Sequence, residues 1–291
     1  MDEVTKKLRD EAKKLLKDGK ADWIIGFREG SNPLRTTPVF INNPKDVDKL
    51  VFNRFCTHNL ANYLSKMDGK VGVVVKGCDS RSVIELLKNH QVKRENLYLM
   101  GVGCPGMFSE KKILKECASR EKVSLKDEFL QDCCLECEHR KPVVYDVLFE
   151  SKEKDIKGYV EKRHGIKDPR QRREFWLEQF RKCIKCNACK EACPNCFCTA
   201  CVLTEQPDWM SKPRSEEDLW MYQLIRIYHN AGRCTDCGAC ERVCPMNIPI
   251  RQLLKKILED AKELFGYESG LSLDEEDPLT TFNKEGDESA L

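Results

Sequence analysis

The sequence predicts an α/β N-terminal domain with a parallel sheet, followed by a mainly α domain. Three observations carry this expectation. Residues 71–75 (VGVVV) are a continuous β-branched run, the mark of a strand buried on both faces. A helical stretch at 82–90 and a second apolar run at 97–102 follow, giving a βαβ unit whose strands pair in parallel. Beyond residue 170 the strong periodicities are helical, and one cysteine spacing occurs there twice. The chain therefore divides into an α/β domain at 1–150, a charged linker at 151–170, a helical domain at 171–266 and an acidic tail at 267–291. The tail is expected to be solvated and disordered.

Residues 1–20 read as an exposed helix with Leu8, Ala12, Leu15 and Leu16 on one face. Residues 23–27 (WIIGF) read as a strand. Pro33, Pro38 and Pro44 punctuate a loop-rich stretch, and a helix is expected from about residue 45 through Phe52, Phe55, Leu60 and Tyr63. Gly77-Cys78-Asp79-Ser80 reads as a turn that ends in helix-capping residues. A further strand is expected at 143–148. In the second domain the helices are expected at 174–181, 216–230 and 249–265, the last stopped by Gly266.

Composition narrows the chemistry. Eighteen cysteines in 291 residues is heavy use. The charged N-terminus does not read as a secretory signal, and no apolar run is long enough for a membrane span. Thiolate–metal ligation in a reducing cytoplasm explains the cysteines better than disulfides do. A net charge of +2 gives no general nucleic-acid footprint.

The two cysteine runs are Cys183-x2-Cys186-x2-Cys189-x3-Cys193-Pro194 and Cys234-x2-Cys237-x2-Cys240-x3-Cys244-Pro245. This is the spacing of bacterial ferredoxins that hold two 4Fe-4S clusters. Four soft thiolates must converge on one small volume, and close spacing holds three of them at low loop entropy. In such pairs the fourth cysteine of each run serves the other cluster. The two sets are thus Cys183, Cys186, Cys189 and Cys244, and Cys234, Cys237, Cys240 and Cys193. Structural zinc favours separated CxxC pairs and fits less well. Forty residues separate Cys193 from Cys234, with helical patterning between and after the runs. The segment resembles the α-helical ferredoxin domains of succinate dehydrogenase and heterodisulfide reductase iron–sulfur subunits.

Ten cysteines lie outside these runs. Cys56 and Cys117 fall on helical patterns and read as small buried hydrophobes. Cys78 and Cys104 follow the two strands of the βαβ unit, on the edge where parallel sheets place ligands. Cys133, Cys134 and Cys137 form a tight trio. Cys78, Cys104, Cys133 or Cys134, and Cys137 are candidates for a third 4Fe-4S cluster; zinc in the same cage and unligated thiols are the alternatives. Cys196, Cys198 and Cys201 extend the first run directly. They read as a further metal site, an alternative ligand set, or packing beside the cluster; three thiolates alone leave a position that His229 or Cys56 could fill only through folding the sequence does not show.

Residues 71–85 (VGVVVKGCDSRSVIE), 102–106 (VGCPG) and 133–148 (CCLECEHRKPVVYDVL) resemble the beta subunits of deazaflavin-reducing hydrogenases and related formate dehydrogenases. The resemblance covers residues 20–150. It implies an electron-transfer subunit with a 4Fe-4S cluster at Cys78, Cys104, Cys133 or Cys134, and Cys137, and often FAD. Family members usually carry any ferredoxin segment ahead of this domain, whereas here it follows, and the sheet domain looks short where the flavin part would continue. Gly101, Gly103 and Gly106 match GxGxxG in spacing only, since a Cys-Pro intervenes. No acid–base pair or nucleophile emerges. The expected function is an iron–sulfur electron relay in a cytoplasmic, multi-subunit anaerobic oxidoreductase. Its expected partners are a heterodisulfide-reductase-like flavoprotein, a hydrogenase or a formate dehydrogenase. The alternative is a flavin-containing subunit that itself turns over a deazaflavin or similar substrate.

Overall fold

The computed structural model describes residues 2–116, 126–150, 166, 168–205 and 215–278. Cys117, all but four residues of the expected linker (166 and 168–170), and the tail beyond Pro278 lie outside them. The chain forms two compact units, Met1–Val160 and Glu161–Leu291.

The first unit is built on a five-stranded sheet of order β2-β1-β3-β4-β5. Its strands are β1 (Trp23–Glu29), β2 (Thr36–Ile41), β3 (Val71–Val75), β4 (Leu97–Val102) and β5 (Val147–Phe149). β1, β3, β4 and β5 run parallel, and only the edge strand β2 is antiparallel. All five residues of β3 are buried, as a strand covered on both faces requires. The helix α1 (Asp2–Lys17) is not simply exposed. It buries Val4, Leu8, Ala12 and Leu15, and Arg9 donates to the Leu50 carbonyl at 2.8 Å. The charge of its outer face masks this amphipathic packing.

Two expectations fail between residues 30 and 66. The Pro-rich stretch contains β2, with Pro38 paired to Phe27. An edge strand tolerates the missing N–H. The expected long helix is instead two 3-10 segments, Pro44–Lys49 and Leu60–Lys66. Asn43 and Asn59 cap them, and Asn53 accepts from the Phe55 N–H at 2.9 Å in the irregular chain between. Side chains that satisfy nearby backbone N–H groups compete with a continuous helix. Cys56 is buried in that irregular chain, with its thiol pKa raised by burial.

The helix α2 (Gly77–Lys88) starts earlier than the sequence suggests. Lys76 is its N-cap, and Asp79 accepts from the Lys76 N–H at 3.0 Å. Cys78 therefore sits in the first turn of α2 rather than in a loop. The short helices α3 (Glu110–Glu116) and α4 (Asp132–Leu135) follow β4, and β5 is shorter than the expected strand at 143–148.

The second unit is helical: α5 (Pro169–Arg181), α6 (Ala188–Glu191), α7 (Val202–Glu205), α8 (Glu216–Tyr228), α9 (Ala239–Arg242) and α10 (Ile250–Phe265). Asp168 caps α5, with Pro169 at its first position, and Ser215 caps α8. Gly266 ends α10 in the left-handed region at φ 66°. Trp176, Phe180, Ile227, Ile248, Ile250 and Leu254 form its core together with Cys240 and Cys244. Residues 267–278 do not behave as a free tail. The Tyr267 hydroxyl is 3.0 Å from the Gly232 carbonyl, and Asp277 lies 3.9 Å from Arg233. An aromatic anchor and one facing cation hold a stretch that its acidity alone marks as solvated.

Candidate metal centres

The two ferredoxin runs share one backbone. Cys183 follows the end of α5, Cys189 lies in α6 and Cys193 just after it. Cys234 follows α8, Cys240 lies in α9 and Cys244 just after it. The residues flanking the middle cysteine adopt positive φ in both runs: Lys185 (52°) and Asn187 (58°), then Asp236 (54°) and Gly238 (69°). Non-glycine residues pay for this conformation and keep it only where their surroundings fix it. Two side-chain locks do so. The Tyr222 hydroxyl donates to Asn187 Oδ1, and the buried Arg251 grips Asp236 through two bonds of 2.6 Å.

Cys183, Cys186, Cys189 and Cys244 line one cavity, together with Tyr222 and Ile248. These are the first three cysteines of one run and the last of the other. Gln223 Nε2 donates to Cys183 Sγ at 3.1 Å and the Ile248 N–H to Cys244 Sγ at 3.4 Å. N–H donors aimed at sulfur stabilise a thiolate and tune a bound cluster. In the second set, Cys193 is close enough to Cys237 for their charges to oppose each other. Burial pushes Cys240 up to about 12 and Cys234 well above the usual thiol range. Metal binding there must displace protons.

One residue that sequence reasoning missed stands between the sets. Arg226 on α8 is only 2% exposed, and no carboxylate among the described residues pairs with it. Its Nη2 donates to the Cys189 carbonyl at 2.9 Å, while Nε and Nη1 have no hydrogen-bond partner among the described residues. Burial opposes its charge, but the thiolates of Cys240, Cys189, Cys196 and Cys193 outweigh burial and raise its pKa. A buried cation this short of partners fits a site that holds anionic thiolate-bound clusters. The sequence signal was the polar pair Gln223 and Arg226, three residues apart in the otherwise apolar second half of α8.

In the first unit, three segments bring the remaining candidates together. Gly77 lies so close to the 139–141 backbone that a Cβ would stand 1.8 Å from the His139 carbonyl oxygen. The Cys104 N–H donates to the Arg140 carbonyl at 3.0 Å, and the Val143 N–H to Ser80 Oγ at 2.9 Å. Burial drives Cys104 up to about 12; Lys76 opposes that shift, and Cys137 adds to it. The ammonium of Lys76 is buried, 2.7 Å from Asp79, and feels the charges of Cys78 and Cys104. Cys134 Sγ accepts the Met107 N–H at 3.4 Å, whereas Cys133 Sγ lies 3.7 Å from Gln131 Oε1. The spacing Gly101-x-Gly103-x2-Gly106 opens no helix, since α3 begins only at Glu110.

Cys196, Cys198 and Cys201 line a cleft of about 360 Å³ that His229, Arg226 and Arg233 also border. Cys56, the other suggested fourth ligand, is buried in the first unit. A tetrahedral zinc site needs its sulfurs about 3.8 Å apart. Among the described residues, no three cysteine sulfurs come within 4.8 Å of one another. Cys196 itself is drawn down to about 6 by a hydrogen bond with Cys193, with Arg226, Asn230 and Lys190 assisting.

Residues 179–248 match the family described as the 4Fe-4S dicluster domain. With the paired cysteine loops, this makes the chain an iron–sulfur electron-transfer protein. Its homologues are the beta subunits of F420-dependent formate dehydrogenases. The beta subunit from Methanocaldococcus jannaschii is 24% identical over 350 aligned positions, covering 89% of this chain and 90% of the relative. That of formate dehydrogenase 1 from Methanococcus maripaludis is 27% identical over 356 positions, covering 91% and 90%. These spans include both units, so the expected reversal of domain order relative to the family does not hold for these relatives. The alignments are longer than this chain, so the relatives carry segments it lacks. A chain of the F420-reducing nickel–iron hydrogenase complex from Methanosarcina barkeri matches at 18% identity and a TM-score of 0.36, covering 47% of this chain and 62% of that one. A likeness that slight carries no argument. No helix among the described residues is long and apolar enough to cross a membrane.

Proposed function

We propose that the chain is the iron–sulfur relay of a cytoplasmic, multi-subunit anaerobic oxidoreductase, passing electrons between a partner's redox centre and its own clusters. The observation that carries this is the single cavity lined by Cys183, Cys186, Cys189 and Cys244. That is the crossed ligand set of a dicluster ferredoxin. A 4Fe-4S cluster supplies a one-electron centre to each set. The protein's part is to hold the thiolates, to aim Gln223 and the Ile248 N–H at sulfur, and to keep water out with Trp176, Phe180 and Ile227.

The second set is Cys193, Cys234, Cys237 and Cys240. A third cluster in the first unit would be held by Cys78, Cys104, Cys134 and Cys137. The amide donor on its sulfur favours Cys134 over Cys133. Lys76, kept charged by Asp79, would offset part of the negative charge there. The partner is a redox subunit of the kind that accompanies formate dehydrogenase beta subunits, and the names of the relatives point to the deazaflavin F420 as the ultimate donor or acceptor.

The same names support a second reading, in which the first unit binds a flavin and itself exchanges electrons with F420. Anaerobic purification of the full chain separates the two. A flavin-free protein with about eight to twelve irons supports the relay. Stoichiometric flavin absorbance, bleached by reduced F420, supports the second reading and contradicts the first.

A further inference from the structure

Five thiols stand where one cluster needs four. Each iron of a cubane offers one position to a thiolate, and the spacing assigns the second cluster Cys234, Cys237, Cys240 and Cys193. Cys196 reaches the same place. Its N–H donates to the Cys193 carbonyl at 3.2 Å, closing a turn over Pro194 and Asn195. The Asn195 side-chain amide pins that turn to the Arg233 carbonyl. Both sulfurs then lie 3.7 Å from one atom, Oδ1 of the buried Asn230.

The surroundings favour Cys196 at least as much as Cys193. Asn230 Nδ2 donates to Cys196 Sγ at 3.4 Å, and is itself held by the Arg226 carbonyl at 3.0 Å. The partnerless Nε and Nη1 of Arg226 are buried beside this group and call for negative charge. Cys198 and Cys201 line the neighbouring cleft without sharing that anchor.

We infer that Cys196 is an alternative fourth ligand, interchangeable with Cys193, for the cluster held by Cys234, Cys237 and Cys240. The inference rests on the dicluster reading above. Exchange forms one iron–thiolate bond as another breaks. The proton that leaves Cys196 is taken up by Cys193, and no electron is gained or lost. Asn230 Oδ1, which faces both sulfurs, is placed to accept the S–H of whichever cysteine is unligated.

The test compares full-length wild type, Cys193→Ala, Cys196→Ala and the double variant, all purified anaerobically. Alanine is used because a serine oxygen can bind iron. Iron, acid-labile sulfide and the EPR of the reduced protein are measured. Each single variant should retain the full wild-type iron, with altered EPR line shapes in at least one. The double variant should lose about four irons while the signal of the Cys183, Cys186, Cys189 and Cys244 cluster persists. Loss of about four irons in either single variant overturns the inference, and so does full retention in the double. If the double loses both signals, the single variants decide alone. A wild type with fewer than about eight irons sinks the dicluster reading instead, so the two failures are distinguishable.

Discussion

Replacing Gly77 by alanine should empty the third cluster proposed for the first unit and leave the ferredoxin pair intact. The added Cβ would stand 1.8 Å from the His139 carbonyl oxygen, where real contacts are not found under 3.0 Å. The obstacle is backbone, so the 139–141 segment must move by more than an ångström. That movement strains the Cys104-to-Arg140 and Val143-to-Ser80 hydrogen bonds, which set the spacing between Cys104, Cys137 and the first turn of α2. Overpacking costs about 1–3 kcal/mol, and each lost hydrogen bond about 1 kcal/mol. A total of about 3–5 kcal/mol is expected if both bonds are lost. In an unhindered helix the same change would instead stabilise by about 0.5–1 kcal/mol, so the sign decides. The assay is anaerobic urea unfolding of the full chain, read by tryptophan fluorescence, alongside its iron content. Iron should fall from about twelve to about eight per chain. A variant at least as stable as wild type, with unchanged iron, would refute the close approach and with it this account of the third site.

Other consequences follow from the same geometry. Arg226→Gln removes a buried cation shared by both ferredoxin sets, worth a few kcal/mol at an effective dielectric near 20. Both midpoint potentials should become more negative by about 60 mV or more in an EPR-monitored titration, and a shift confined to one cluster would show that Arg226 serves only that one. Cys137→Ser should abolish only the third EPR signal, whereas loss of the ferredoxin signals would break the assignment of that cysteine to the first unit's site. Arg251→Met frees the strained Asp236 loop and should destabilise the second unit by about 1–3 kcal/mol, with faster loss of iron to a chelator than in wild type. Equal chelation rates would show that the loop needs no lock.

The parts of the fold written in short-range pattern were legible. The VGVVV run and the strand at 97–102 emerged where expected, with a helix between them that starts earlier than expected, because β-branched continuity and parallel pairing depend on few other residues. The helices α5, α8 and α10 were legible from their periodicity, α10 also through Pro249 and Gly266, whereas Asp168 and Pro169, which open α5 five residues earlier than expected, read as linker. What failed depended on tertiary partners. Pro38 disguised an edge strand, and Asn53 and Asn59 broke up a helix that hydrophobic spacing suggested. The acidity of residues 274–277 hid the packing of Asp277 against Gly232 and Arg233. At the ferredoxin site the cysteines announced themselves by spacing. Arg226 and Gln223 did not, because only the folded chain turns that face of α8 toward sulfur.

Iron and acid-labile sulfide per chain, with EPR of the dithionite-reduced protein, test the central claim most directly. The account predicts at least about eight irons with matching sulfide, rising to about twelve when the first unit is loaded, and interacting 4Fe-4S signals from the paired set. Zinc in place of iron, or fewer than about eight irons in protein purified without oxygen, would contradict it.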